Sequence, residues 1–586
     1  MLPIGVLNQT RGFITRWTVG AGQSITLPLV ASYSYNCTVD WGDGTPLSTV
    51  LSYNSANATH TYTNAGTYNV EIRGTCEGWS FNSSGDNLKI VQVVYWGDAT
   101  RFNGFKYLEN GFYGCSNLTS LGIGKILVSG AGPTSLMACF QGCALTAIPA
   151  GLLDNLTSVT TLRYCFAYNH LTSIPNKFLD KVTLTTDMYA CFFINPLTTI
   201  PSGLLDHLSS LVILSDAFGS NALTSIPTGL FDYNPSLTSI DGTFYTNNLA
   251  AIPAGLLDHN PLVWNLSYAF ASNQLTSIPS GLFDHLTSLT NLRGCFYNNS
   301  ITAIPTGLLN QTTLVSDMSS CFCSNNLTSI PSGLFDHLTS LTTLGSCFYN
   351  NNITSLPSGL FDHLTSLTSL SNCFNGNNLS TVPAGLLDNT TAVTNLSAWL
   401  ANNNNLLTLP PNLFRNVTAA INFSACFSPD TSLQVASDTF YSAGEETTRF
   451  LNKTVDFTNC YYRTSSTCAQ GTAPDLWTCN FGETITLSTA PATDWVAGDT
   501  ITGQTSGATA LVVSKVSSLV YKIKQHFGAF THGETVGVTG VPAKLAAQDG
   551  SHPTFSGTPI STACFGGGGN SLTSLSNYAS IPASWK

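Results

Sequence analysis

The sequence predicts a mainly β protein. Its core is a solenoid of 26-residue repeats, with a β-sandwich before it and a β-domain inserted near its C-terminal end. The first observation is the motif L-T-S-I-P-S-G-L-F-D-H-L-T-S-L. Its proline recurs at Pro149, Pro175, Pro201, Pro227, Pro253, Pro279, Pro305, Pro331, Pro357 and Pro383, always 26 residues apart, and Pro410 follows one residue late. A period of this size means one supersecondary unit per repeat, each closing its neighbour's core. Second, short alternating segments such as Tyr35–Val39 and Tyr68–Ile72, separated by turn clusters, precede the array. Third, the composition changes at about residue 481, and the earlier style returns after about residue 557.

The 586 residues are ample for several domains. Only 9% are charged, and polarity comes from Asn, Ser, Thr and Gly. A net charge of −11 without a basic run argues against nucleic acid and against an anionic membrane surface. No apolar stretch approaches the roughly 18 residues of a membrane span, so no membrane insertion is expected. The N-terminus, M-L-P-I-G-V-L-N-Q-T-R-G-F, lacks a basic start followed by an apolar core. The expectation is a leader already removed, or export by another route such as assembly into a virus particle.

Taken in order, residues 1–76 read as the sandwich. Its strings D-W-G-D-G-T, Asp40 to Thr45, and H-T-Y-T-N-A-G-T-Y-N-V, His60 to Val70, resemble a polycystic-kidney-disease-type (PKD) domain. Asp40 and Asp43 suggest either calcium or a turn in which carboxylates bond backbone amides, and the turn is the simpler reading. Residues 77–140 form an N-terminal cap, with a strand at Lys89–Asp98 and an irregular repeat at Gly111–Leu121. Residues 141–430 are the regular array, 431–480 a C-terminal cap, 481–557 the inserted β-domain and 558–586 a terminal cap repeat. Within the insert, Gly482-Glu483-Thr484, Gly498-Asp499-Thr500 and Gly533-Glu534-Thr535 open three β-rich segments.

Each array position has a role. Leu327, Ile330, Leu334 and Phe335 point inward, and phenylalanines from Phe140 to Phe374 form a register one residue after the cysteines. Asn169, Asn195, Asn221, Asn247, Asn273, Asn299, Asn325, Asn351 and Asn377 form a ladder whose amides can bond backbone groups of adjacent turns. Cys139, Cys165, Cys191, Cys295, Cys321, Cys347 and Cys373 share one register, with Ala217, Thr243, Ala269 and Trp399 in the remaining turns. Small residues in place of Cys indicate a buried free thiol filling a tight space. Elsewhere Cys37 with Cys76, and Cys460, Cys468, Cys479 and Cys564, can pair, with connectivity open. Nothing near Cys321 and Cys323 completes a zinc set. One repeat buries about seven large side chains at about 2 kcal/mol each, less than the cost of ordering its backbone at about 1–2 kcal/mol per residue. Stacking is therefore obligatory.

The string N-x-L-T-x-I-P-x-G-L-F resembles the leucine-rich-repeat pattern. Together, F-I-T-R-W…D-W-G-D-G-T, C-F-x-x-N-x-L-T-x-I-P-x-G-L-F and A-P-D-L-W…I-P-A-S-W resemble the BspA-like leucine-rich-repeat surface proteins, over about residues 13–480 and 558–586. That resemblance implies adhesion and surface display without catalysis. The insert's W-V-A-G-D-T-I-T-G-Q-T-S-G-A-T-A-L-V-V resembles small β-modules of phage virion proteins.

Asp-His pairs recur at Asp206-His207, Asp258-His259, Asp284-His285, Asp336-His337 and Asp362-His363. Adjacent residues do not converge on one ion, so they read as outer-loop or short-helix residues, and no metal or cofactor is expected. No G-x-S-x-G, H-E-x-x-H or P-loop string occurs, and no acidic residues flank an obvious aromatic groove. No catalytic residue is assigned. Asn-x-Ser/Thr sequons, including Asn57, Asn117 and Asn155, are as frequent as this composition yields by chance. A binding face is expected beside the Phe register, at Tyr189, Phe193, Tyr245, Arg293, Tyr297 and Tyr349, because aromatic and Arg residues anchor interfaces. The alternative there is ordinary exposure of scattered side chains. The expected function is a non-enzymatic virion surface protein, a phage tail fibre or capsid decoration, for structure and host recognition. Its partners would be other virion or fibre subunits and a host cell-surface glycan or protein, in a homo-oligomer or larger assembly. The rival is a secreted bacterial adhesin or extracellular fibre subunit at the cell surface. A polysaccharide-degrading enzyme is the distant third.

Overall fold

The structure is a computed structural model. It describes residues 11–430, 432–441, 450, 453–462, 474, 476, 483–487, 490–527, 535–538, 545–547, 559–560, 564 and 578–586. Cys468, Cys479, Gly482, Gly533-Glu534 and most of the A-P-D-L-W and S-L-T-S-L-S-N strings lie outside the described residues. Among the described residues there is no α-helix, and regular structure is β with short 3-10 turns. The chain divides into two units, Met1–Ile301 and Thr302–Lys586.

The first unit opens with seven strands: β1 Phe13–Val19, β2 Ser24–Thr26, β3 Tyr35–Asp40, β4 Ser48–Val50, β5 Thr59–Thr61, β6 Gly66–Cys76 and β7 Ile90–Tyr95. Five form one sheet in the order β4-β3-β6-β1-β7, and β2 pairs with β5. Alternation sets the faces: in β1, Phe13, Trp17 and Val19 are buried while Thr18 is exposed. The strand expected at Lys89–Asp98 forms as β7 and joins the sheet, so the sheet extends past residue 76. The reason is the core: the Phe13 ring lies 5.2–5.5 Å from those of Trp79, Trp96, Phe102 and Phe105. The D-W-G-D-G-T carboxylates are occupied by the fold itself. Asp40 accepts from Gly42 N at 3.0 Å, and Asp43 accepts from Thr45 N at 3.1 Å and faces His60 Nε2 at 2.7 Å. Among the described residues no group of three His, Cys, Asp or Glu side chains could hold a metal ion.

From Ser135 the first unit continues as turns joined by single parallel bridges, Ser135 to Thr161, Asp187, Ile213, Ser239, Asn265 and Asn291, each 26 residues on. Past each bridge the backbone bonds run one way. Leu162, Tyr164, Phe166 and Tyr168 donate to the carbonyls of Asp187, Tyr189, Cys191 and Phe193 at 2.8–2.9 Å. Two left-handed residues per turn make this possible: Tyr164 (φ 55°) and Tyr168 (φ 57°) swing alternate N–H groups toward the same neighbour. Inside, the rings of Phe140, Phe166, Phe192, Phe218, Phe244, Phe270 and Phe296 stack 5.3–6.1 Å apart. The asparagine amides close the bend. Asn247 Nδ2 donates to Phe218 O at 3.0 Å and Phe244 O at 3.2 Å, while its Oδ1 accepts from Leu223 N at 3.0 Å. Asn169, Asn195, Asn221 and Asn273 repeat the pattern, and Asn299 Nδ2 reaches Phe270 O with Oδ1 taking Leu275 N.

The second unit has its own bridges, Asp317 to Thr343, Ser369, Asn395, Asn422 and then Asp456. Asn351 and Asn377 hold the same three-way contacts, and Asn403 adds a rung the sequence reading omitted. Asn325 donates to Phe322 O and Cys323 O. The strands are β8 Val455–Asp456, β9 Glu483–Thr486, β10 Thr500–Gly503, β11 Thr509–Lys515, β12 Val520–Phe527, β13 Thr535–Val538, β14 Leu545–Ala547 and β15 Pro559–Ile560. Strands β9 to β14 make one antiparallel sheet in the order β14-β13-β10-β11-β12-β9, over a cluster that includes Trp495, Ile501, Val512, Tyr521 and Ile523. Strand β15 then pairs in parallel with β8, and the Trp585 ring lies tilted, 5.6 Å from that of Phe457. The chain thus leaves the repeats at β8, builds a separate sheet and returns beside β8.

The cysteines of the array register are all buried and unlinked, as are Cys37, Cys76, Cys460 and Cys564. Burial pushes the thiols of Cys165, Cys191, Cys295, Cys347 and Cys373 up. The Asp-His pairs sit in turns, not in a short helix. Asp206 packs on Gly203, where an added Cβ would meet Oδ2 at 3.0 Å, and its neighbour His207 is exposed.

Candidate functional site

Just past each bridge three columns carry aromatic and charged residues, with small buried ones such as Ala190, Ser215 and Ala271 between them. In the first unit one column carries Arg163, Tyr189, Ser215, Asp241, Ser267 and Arg293, and the next carries Tyr164, Ala190, Asp216, Gly242, Tyr268 and Gly294. The second column is left-handed throughout, with φ between 51° and 58°. A third holds Phe193, Gly219, Tyr245, Ala271 and Tyr297. The interior columns vary little, because each must fill the same space. These outer columns are free to vary, and here they concentrate aromatic and charged residues.

A polar column supports the face. Asp187 Oδ1 accepts from Tyr189 N at 2.8 Å, Asn265 Oδ1 from Ser267 N at 3.0 Å, and Asn291 Oδ1 from Arg293 N at 2.9 Å. These residues pin the backbone where the outward side chains begin. Small residues then make room. Phe193 packs on Gly219, where a Cβ would lie 3.0 Å from its ring, and Tyr268 packs on Gly294, where a Cβ would lie 2.3 Å away.

At one end of the face the Arg163 guanidinium lies 4.3 Å from the Tyr189 ring centroid and 3.2 Å from Asp187. Tyr189 meets Tyr164 edge-on at 5.2 Å, and Tyr168 meets Phe193 at 5.8 Å. Further along, an open cleft of about 390 Å³ is lined by Asp216, Asp241, Gly242, Tyr245, Tyr268 and Tyr297. Tyr245 and Tyr268 stand edge to face at 6.4 Å, and Arg293 Nε lies 3.5 Å from the Tyr268 hydroxyl. Burial raises the Asp216 carboxyl, and a hydrogen bond from Tyr189 draws it partly back. Asp241 is pushed up to about 6, by burial first and by the charge of Asp216 second. Burial, followed by Tyr164 and Asp216, also raises Tyr189.

This arrangement corrects one expectation. Acidic residues do flank an aromatic groove: Asp216 and Asp241 lie 25 positions apart, but the turn stacking puts them side by side, with Asp216 N donating to Asp241 O at 2.7 Å. Of the expected binding residues, Tyr189, Phe193, Tyr245, Arg293 and Tyr297 share the face of the first unit, and Tyr245 and Tyr297 line the cleft itself. Tyr349 holds the equivalent third-column position in the second unit, where the outer columns are Ser319, Gly345, Ser371 and Ser397. It is exposed without an aromatic neighbour of this kind. Sequence reasoning missed Asp216, Asp241, Tyr268 and Arg163. Writing the sequence in rows of 26 aligns the first three in adjacent columns.

No family model matches the chain, and no curated protein matches it. Among solved structures it is similar to a TDR receptor, at 19% identity and TM-score 0.42, covering 60% of this chain and 59% of that one. It is also similar to a TLR13–ssRNA13 complex, at 16% identity and TM-score 0.40, covering 62% and 51%. A Toll–Spatzle complex from Drosophila matches at 19% identity and TM-score 0.37, covering 63% and 51%. The matches span between about half and three fifths of those chains' own length. No helix among the described residues is long and apolar enough to cross a membrane.

Proposed function

We propose that this chain is a non-catalytic recognition protein whose repeats hold a binding face for a host cell-surface glycan or protein. The observation that carries this reading is the concentration of aromatic and charged side chains on one outward face of the first unit, over a cleft of about 390 Å³. Aromatic and Arg anchors dominate binding energy at interfaces, and here a hydrogen-bonded ladder fixes them before any ligand arrives. The columns fit a leucine-rich-repeat array of the BspA-like kind, preceded by a PKD-like domain. The separate sheet of β9 to β14 fits an inserted module of the type seen in phage virion proteins. The favoured location is therefore the surface of a virus particle, as a tail fibre or capsid decoration, with other virion subunits as partners. A secreted bacterial adhesin is the rival.

The labelled protein should bind host cells in a saturable way, and Tyr245→Ala with Tyr297→Ala should abolish the binding. Undiminished binding by that variant would remove the face from the reading. Immunogold labelling of purified particles separates virion from adhesin. The Asp216 and Asp241 pair gives the polysaccharide-degrading alternative a definite test. Release of reducing sugar that disappears in Asp241→Asn would establish it.

A further inference from the structure

The face carries carboxylates in two different situations. Asp187 is neutralised within the chain: the Arg163 guanidinium pairs with it at 3.2 Å and lies 4.3 Å from the Tyr189 ring. Asp216 and Asp241 line the open cleft with three tyrosines, and among the described ion pairs none reaches either of them. Gly242 keeps the carboxylate of Asp216 uncovered, because any Cβ there would collide with it at 2.1 Å. The chain thus shows, one site along, what a carboxylate and a tyrosine ring on this face do with a cation. In the second set Tyr189 donates to Asp216 and Arg293 Nε lies 3.5 Å from the Tyr268 hydroxyl, while the two carboxylates themselves carry no described ion pair.

We propose that the cleft of Asp216, Asp241, Tyr245, Tyr268 and Tyr297 binds the ammonium or guanidinium group of a lysine or arginine side chain on a protein partner. A cation over a tyrosine face gains from the ring quadrupole, and more when water is excluded. Charge-assisted hydrogen bonds to the two carboxylates add direction. A neutral sugar offers hydroxyl donors but no charge to offset two neighbouring carboxylates. The chain's net charge of −11 also steers basic partners toward it. This inference rests on the recognition reading above and specifies its ligand.

The test is calorimetric titration of the full chain at neutral pH with four probes: a lysine-rich peptide, the same peptide acetylated on its lysines, a glucosamine oligomer and a neutral cello-oligosaccharide. The expected result is that the free peptide binds and acetylation weakens it by at least about tenfold, or about 1.4 kcal/mol. Asp216→Asn with Asp241→Asn should weaken it similarly. Tyr245→Ala, at an exposed position whose ring meets only the edge of Tyr268 among the described aromatic pairs, keeps the test valid if the double variant folds poorly. Equal affinity for the acetylated peptide, or undiminished binding by both variants, overturns the cation assignment. Binding of the glucosamine oligomer without the peptide overturns it in favour of an amino sugar, and binding of the cello-oligosaccharide alone in favour of a neutral glycan. Absence of binding by all four probes, with host-cell binding retained, overturns it and leaves the recognition reading standing.

Discussion

The carboxylate of Asp216 occupies the space that a side chain at Gly242 would need: an added Cβ would come within 2.1 Å of Oδ1. Both residues are left-handed, at φ 56° and 58°, in the same column of adjacent turns. Gly242→Ala should therefore push the carboxylate out of the cleft and add left-handed strain of about 1 kcal/mol. Host-cell binding should fall while the circular dichroism spectrum stays that of a β protein. Unchanged binding would mean that the Asp216 position is not used.

Asp241 provides a pH signature. Its carboxyl titrates near 6 in the folded chain against 3.8 as the ordinary value, so the folded state holds the proton more tightly. Its ionisation therefore costs nothing below about pH 4, costs progressively more up to about pH 6, and costs its full amount above that. Because the group is half-exposed, screening reduces this to about 1 kcal/mol. Asp241→Asn should raise the unfolding midpoint at pH 8 and leave it unchanged at pH 4. The titratable groups that share its cleft are Asp216, Tyr245, Tyr268 and Tyr297, so the same scans on Asp216→Asn will show whether the two carboxyls titrate together.

The repeats were legible because interior positions have one solution each. Proline, phenylalanine, cysteine and asparagine recur at fixed offsets, and Asn247 makes its three contacts where the ladder argument put them. The cleft was not legible, because it depends on neighbours across the turn. Tyr268 has meaning only beside Gly294, and Asp216 only beside Gly242. Likewise β7 looked like part of a cap, because nothing local to Ile90–Tyr95 shows that β1 needs a second partner.

The asparagine ladder predicts a contrast between neighbours. Asn247→Ala strands Leu223 N–H in the interior and takes one of two amide donors from the carbonyls of Phe218 and Phe244, which keep Asn221 and Asn273. That should cost about 1–3 kcal/mol. Asn247→Asp should cost at least as much, since a carboxylate oxygen would face those carbonyls. Asn248→Ala, at an exposed side chain with only a 3.4 Å contact from Gln274, should change stability by less than about 0.5 kcal/mol. Denaturant midpoints for the three variants decide it, and equal midpoints would remove the structural role assigned to the amide.

The register cysteines should be inert until the fold opens. All are fully buried, and burial pushes the thiols of Cys139, Cys165, Cys191, Cys295, Cys347 and Cys373 up, away from the reactive thiolate. A thiol reagent at pH 8 should leave Cys139, Cys165, Cys191, Cys295, Cys321, Cys347 and Cys373 unmodified in the native protein and label all of them in denaturant. Peptide mapping reads each site. Native labelling at these positions, or disulfides found among them after denaturation without reductant, would contradict the free-thiol ladder.

Assembly should run through sheet edges, and the N-terminal sheet offers one with exposed apolar residues. Strand β4 is an end strand, paired on one side only with β3. Leu47, Leu51 and Tyr53 around it are 52%, 64% and 50% exposed, an apolar fringe on an edge where only the Thr49 carbonyl is described as bonded, to Asn57 Nδ2 at 2.8 Å. Unpaired edges of this kind recruit further strands unless charge blocks them. Strands β9 and β14 are the ends of the second sheet, and β9 is followed by the buried Leu487. Light scattering should therefore show a multimer that Leu47→Lys with Leu51→Lys dissociates. Deletion of residues 481–557 should have the smaller effect. If the lysine variant keeps its mass and the deletion loses it, the contact belongs to the β9 to β14 sheet instead.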